Sequence, residues 1–150
     1  MQVQIRAIGK LKKNTPEFMI ISDYVKKSRW PVEVKEYEEK KALSGTELKI
    51  AEAKLLLKDL PSNSYVIALD EHGKTLSSRE FSSTLRPYAD RPIVFIIGGA
   101  DGLDDSVRKR ANLTLSFGRM TLPHFLMRAV LTEQIYRMRT LWDGHPYHRD

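Results

Sequence analysis

The chain has no cysteine among its 150 residues, so it can build neither a disulfide framework nor a thiolate metal site, in keeping with a reducing compartment. No apolar run approaches the roughly 20 residues that a membrane-spanning helix needs. The opening MQVQIRAIG alternates like a strand and lacks the apolar block of an export signal. The expectation is a cytoplasmic protein without membrane contact. Neither G-x-G-x-x-G nor G-x-x-x-x-G-K occurs, which disfavours a dinucleotide or Walker-type phosphate site.

What is present is ordinary for a folded chain: 41% hydrophobic and 29% charged residues, with no internal repeat or linker. Residues 1–150 therefore read as one domain. Lys and Arg outnumber Asp and Glu by 25 to 19, a formal net charge of +6, which favours a polyanionic partner through phosphate neutralisation; solubility is the plainer use of the same charge.

Val3, Ile5 and Ala7 alternate with Gln2, Gln4 and Arg6, predicting a half-buried strand over Met1 to Ile8. The basic loop Gly9-Lys10-Leu11-Lys12-Lys13 follows. Asn14 or Thr15 can cap a helix with Pro16 in its first turn, ending at Trp30-Pro31. Val32–Tyr37 reads as a second strand. Ser44 and Glu47 have capping-box spacing for a helix closed by Pro61, and Ser77 and Glu80 form a second such pair. Tyr65–Leu69 and Ile93–Ile97 are apolar runs suited to strands buried on both faces. Asp104 or Asp105 can cap a short helix to Arg110, and Leu113–Leu115 is a last strand. Thr121 and Pro123 open a final helix with Leu122, Phe125, Leu126, Ala129 and Val130 on its apolar stripe and Arg128, Arg137 and Arg139 off it. Strands alternating with helices give an α/β domain with a mainly parallel sheet.

Ligands of open α/β sheets bind beyond the carboxyl ends of the strands. Those ends carry Leu69-Asp70-Glu71-His72-Gly73, Gly98-Gly99-Ala100-Asp101-Gly102, and Ser116 through His124, which can line one pocket. Gly98, Gly99 and Gly102 permit positive φ and close approach of a ligand, or serve a plain turn. Asp70 and Asp101 are candidates for ribose hydroxyls, for a nearby positive charge, or for turn capping. His124 is a general base or a helix-end histidine. The tail Gly144-His145-Pro146-Tyr147-His148-Arg149-Asp150 gathers aromatic, imidazole and guanidinium groups suited to stacking on a base and holding phosphate; a frayed terminus is the competing reading. His145 and His148 have H-x-x-H spacing, but without cysteine or a carboxylate-rich partner no metal is expected.

ALDEHGKTLSS at Ala68–Ser78, FIIGGADGL at Phe95–Leu103, LSFGRMTLPH at Leu115–His124, EQIYR at Glu133–Arg137 and HPYHR at His145–Arg149 together resemble the RlmH family of SPOUT methyltransferases, over essentially the whole chain. The resemblance implies S-adenosyl-L-methionine-dependent methylation of N3 of a pseudouridine in large-subunit ribosomal RNA, within the assembled ribosome. It also implies a homodimer and a SPOUT-type α/β fold with a C-terminal trefoil knot, threading that ordinary topology rules reject. Carried over by motif, Leu69, Asp70, Gly98, Gly99, Gly118, Arg119, Met120, Thr121, Leu122 and Pro123 are the cofactor candidates. Tyr147, His148 and Arg149 are the catalytic and substrate candidates, for base stacking, positioning or proton removal, and phosphate or base-edge contact. Arg119 has RNA as a second possible partner, and Ala100-Asp101 stands where some relatives have Pro-Glu. His124, His148 or water would take the N3 proton, and the lack of cysteine suits transfer to nitrogen, which needs no covalent adduct. The alternatives are a ribosome-binding or assembly factor without catalysis, and a SPOUT enzyme for another RNA such as tRNA.

Overall fold

In the computed structural model, which describes residues 1–150, strands and helices alternate. The order is β1 (Val3–Ile8), α1 (Pro16–Ser28), β2 (Val32–Tyr37), α2 (Gly45–Leu57), β3 (Tyr65–Thr75), α3 (Ser78–Leu85), β4 (Ile93–Ile97), α4 (Asp105–Arg110), β5 (Leu113–Ser116) and α5 (His124–Trp142), with a short 3-10 turn at Arg86–Tyr88. The five strands form one sheet in the order β2-β1-β4-β3-β5, and every pairing is parallel.

Alternate residues of the central strands feed two cores. Ile93, Phe95 and Ile97 of β4 join Val3, Ile5, Ile67, Leu131, Ile135 and Met138 on the α5 face. Val94 and Ile96 join Val66, Ala68, Ala53, Leu56 and Val107 on the face covered by α2 and α4. Burial on both faces is why β3 and β4 read as continuous apolar runs.

Caps set several boundaries as expected. Thr15 accepts from Phe18 N–H with Pro16 at the first helical position, the Ser77–Glu80 capping box is formed in both directions, and Asp104, rather than Asp105, caps α4. Ser44 occupies the N-cap of α2 but makes no side-chain bond there, so the first proposed capping box is absent. That helix ends at Leu57, ahead of Pro61, where Arg6 takes over its carbonyls. Arg6 donates to Leu56 O at 3.0 Å and Asp59 O at 3.1 Å, and also to Lys58 O, matching a cation to the negative end of the helix.

The reading of β1 as half-buried with Arg6 on its polar side is therefore corrected. Arg6 is 1% exposed, because β1 lies inside the sheet and carries helices on both sides. The stripe expected on α5 is corrected in the same way: Ala129, Leu131, Ile135 and Met138 face the core, Leu126 is 39% exposed, and Arg128 is 1% exposed. β1 starts at Val3, two residues later than expected. β3 runs past Asp70 to Thr75, with its pairing to β5 shifted between Leu69 and Lys74.

Candidate functional site

The register shift in β3 creates an irregular segment, Asp70 to Gly73, beside the end of β5, while β4 stops at Ile97 and gives way to the glycine turn. Together with the Ser116–Pro123 connection these segments enclose a cavity of about 770 Å³, within the size range of small-molecule sites. Leu69, Asp70, Gly98, Gly99, Gly118, Met120, Thr121, Leu122 and Pro123 line it, as do Asp101, Gly102 and His124. Arg119 does not; it is exposed, between two lining residues.

The wall is fixed by short-range bonds. Gly102 N–H donates to Gly99 O at 3.1 Å, and the Ser116 hydroxyl donates to Gly118 O at 3.0 Å while accepting from Gly118 N–H at 3.1 Å. Gly118 has φ +119, which a side chain would strain. At Gly98 the requirement is space rather than positive φ: a Cβ there would sit 2.9 Å from Leu103 Cδ2 and 3.0 Å from Gly102 O. Asp70 accepts from His72 N–H at 2.9 Å and pairs with Arg108 at 2.8 Å. It thus serves both as turn cap and as counter-ion, and Arg108 also holds Leu103 O at 3.0 Å. The lining mixes glycines and apolar side chains with Lys49, Asp70, Glu71, Asp101 and Arg108, so the cavity can hold a small molecule that has both apolar and polar parts.

Two titratable groups are shifted there. Burial foremost, then the nearby Arg128 cation, lowers the His124 pKa, which favours the neutral imidazole with a free ring nitrogen while weakening it as a base. Glu52 of α2, 6% exposed, lies behind the turn: a Cβ on Gly99 would be 3.0 Å from its Oε2, and its Oε1 has no partner. Burial foremost, then the charges of Asp101 and Glu39, raise its pKa. Sequence reasoning missed Arg108 and Lys49, which line the cavity, and Glu52 behind it. All three sit on the outer helices or their ends, in stretches where charged residues look like solvent-facing ones.

The tail is ordered against the opposite elements. The Tyr147 hydroxyl donates to Glu133 at 2.9 Å, and its ring meets Tyr136 edge-on at 4.7 Å beneath the Arg137 guanidinium at 4.8 Å. His148 Nδ1 is 3.0 Å from Arg137, and Asp150 forms a two-pronged pair with Arg79 at 2.7 Å. Burial first, then the hydrogen bonds to Tyr24 and Glu133, drive the Tyr147 pKa far upward, which keeps it a neutral phenol. Arg149 is exposed. No tail residue lines the cavity, so one chain does not bring Tyr147, His148 and Arg149 to the glycine turn. No group of three or more His, Asp or Glu is placed to hold a metal ion, and no helix is long and apolar enough to cross a membrane.

This chain is similar to curated proteins named "Ribosomal RNA large subunit methyltransferase H". The relative from Paramagnetospirillum magneticum is 47% identical over 152 residues, covering 99% of each chain. The one from Rhodospirillum centenum is 43% identical with the same coverage. A solved structure described as a probable methylase family protein from Haemophilus influenzae shares the fold, with a TM-score of 0.59 at 11% identity. The match covers 95% of this chain and 66% of that one. A family model described as a predicted SPOUT methyltransferase matches residues 1–148, and the chain belongs to that family.

Proposed function

We propose that the chain transfers the methyl group of S-adenosyl-L-methionine to N3 of a pseudouridine in large-subunit ribosomal RNA, within the assembled ribosome. It would act in the cytoplasm as a homodimer of single-domain chains, each with a C-terminal trefoil knot. The observation that supports this best is the gathering of Leu69, Gly98, Gly99, Gly118 and Met120–Pro123 on one cavity, in a chain whose near relatives are named for ribosomal RNA methylation.

The cofactor fits the donor set. The turn is packed so closely that Gly98 has no room for a Cβ, and Leu69, Leu122 and Met127 give the cavity an apolar side. When bound, the cofactor supplies a methyl activated by its sulfonium charge. The protein's share is then alignment and proton management. His124 stands on the cavity wall in its neutral form and is the chain's candidate acceptor for the N3 proton. Tyr147 stays protonated and orients or stacks on the base, with His148 positioning it and Arg149 contacting phosphate or base edge. Because the tail lies away from its own cavity, the tail of a second copy completes the site in this reading.

Unmodified ribosomes incubated with methyl-labelled cofactor, followed by nucleoside mapping, provide the test. Label in N3-methylpseudouridine is expected. Label in tRNA, or cofactor binding in calorimetry without transfer to any RNA, would overturn the assignment in favour of another substrate or a non-catalytic ribosome factor.

A further inference from the structure

Arg128 places a guanidinium in the interior, where an ion is costly unless paired. Its Nη1 meets Glu36 at 2.9 Å and its Nη2 reaches Ile8 O and Gly9 O at 3.2 Å each, with Phe125 flanking it at 5.2 Å. These partners fix the end of β1 and the start of the Gly9–Lys13 loop. The same Glu36 oxygen accepts Leu11 N–H at 2.6 Å, and Gly9 N–H donates to Tyr37 O at 2.8 Å. At the far end Lys12 O takes the Thr15 hydroxyl at 2.7 Å. The loop is thus held at Gly9, Leu11 and Lys12 by bonds that include an ion pair between the buried Arg128 and the half-buried Glu36.

What this clamp presents is positive charge. Lys10, Lys12 and Lys13 are exposed, and none forms an ion pair. The loop borders the cavity: a Cβ on Gly9 would lie 3.2 Å from Nε2 of His124, which lines it. Three like charges on one short loop, none of them in an ion pair, repel one another, an arrangement relieved by an anion with several negative groups along its length.

We propose that Lys10, Lys12 and Lys13 form a binding site for the phosphodiester backbone of the RNA substrate, seating the strand across the cavity mouth beside His124. The proposal rests on the reading of the chain as an RNA methyltransferase. Lysines of this kind neutralise phosphates as point charges and carry no base selectivity. The loop therefore sets affinity and position, and selectivity comes from elsewhere.

The test compares the full-length chain with its K10Q/K12Q/K13Q and K10R/K12R/K13R variants, in methyl transfer to unmodified ribosomes and in calorimetric binding of S-adenosyl-L-methionine. The glutamine variant is expected to raise KM about tenfold or more near 0.1 M salt, because affinity built on phosphate contacts falls steeply when they are removed. Its kcat and cofactor Kd should stay within about twofold. The dependence of log KM on log salt should flatten by about 2, from ~0.7 per phosphate contact on a single strand, and the arginine variant should restore both. Unchanged KM and salt slope would overturn the proposal, and so would loss of cofactor binding or a fall in kcat at unchanged KM. If the parent chain transfers no methyl group, the RNA methylation reading fails instead. Binding of a fluorescent ribosomal RNA fragment to the same variants then decides the loop: equal affinities for parent and glutamine variant reject it.

Discussion

The cavity beyond β3, β4 and β5 and the HPYHRD tail use opposite means of holding shape. Around the cavity the bonds close on main chain, with Gly102 N–H on Gly99 O and the Ser116 hydroxyl bracing both the N–H and the carbonyl of Gly118. The tail has almost no such bonds. It is held by side chains on three helices: Tyr24 of α1, Arg79 of α3, and Glu133, Tyr136 and Arg137 of α5. A main-chain wall is preorganised for a ligand of fixed shape, because rearranging it means breaking strand ends. A side-chain clasp costs less to release, since each exposed ion pair contributes only ~0.2–1 kcal/mol. The division suits a site in which one half binds a cofactor and the other is redeployed when substrate arrives.

Removing the tail tests that division most severely. Truncation before Tyr147 is expected to cut methyl transfer by about 100-fold or more, the scale of a misplaced reactant, and to leave cofactor affinity unchanged by calorimetry. Loss of both would show that the two regions are not separable. The converse experiment is Gly98→Val, which forces a side chain into Leu103 and Gly102. Overpacking of ~1–3 kcal/mol corresponds to roughly 5–150-fold weaker cofactor binding, with tail order preserved.

A milder probe is Glu133→Gln, which weakens the acceptor shared by Tyr147 and Arg137. A loss of ~1 kcal/mol in the charged hydrogen bonds should speed cleavage or hydrogen exchange in the tail about five- to tenfold; protection equal to the parent chain would place the anchoring elsewhere. Smallest is Glu52→Gln behind the turn. Because the folded chain raises the Glu52 pKa above its ordinary 4.5, the folded state binds its proton more tightly, and the group's contribution to stability falls as pH rises through that value. The neutral glutamine escapes this loss. Its melting temperature should exceed the parent's at pH 7 and converge with it below pH 4; a lower melting temperature at pH 7 would sink the account.

Much of the framework was legible because it depends on local signals. The apolar runs Tyr65–Leu69 and Ile93–Ile97 gave central strands, and Thr15, Ser77 and Asp104 marked helix starts. Strand-end placement also brought nearly all the cofactor candidates to one cavity, Arg119 excepted. Pattern reasoning failed at charged residues with distant partners. Arg6 looked like the polar face of a strand, and Arg128 like the outer face of a helix, because period-two and 3.6-residue patterns assign charge to solvent. Their partners lie about 50 and 90–120 residues away along the chain. The extension of β3 past Asp70 was hidden for a similar reason, since β5, some 40 residues later, supplies the pairing for Lys74 and Thr75. The tail's anchors on α1 and α3 left no mark in the tail itself.

The reach of Arg128 back to Ile8 and Gly9, 119 to 120 positions earlier, has a consequence for how the chain acquires its shape. β1 pairs with β4 through Val3 and Ile93, so the first strand made by the ribosome waits for most of the polypeptide before it finds both neighbours. Its last stabilising contacts arrive only with α5. Such long closures are slow to form and leave apolar strand edges open meanwhile. Completion of β1 therefore waits for α5, and conditions that slow refolding should expose the β1–β4 seam to aggregation before any other part of the sheet.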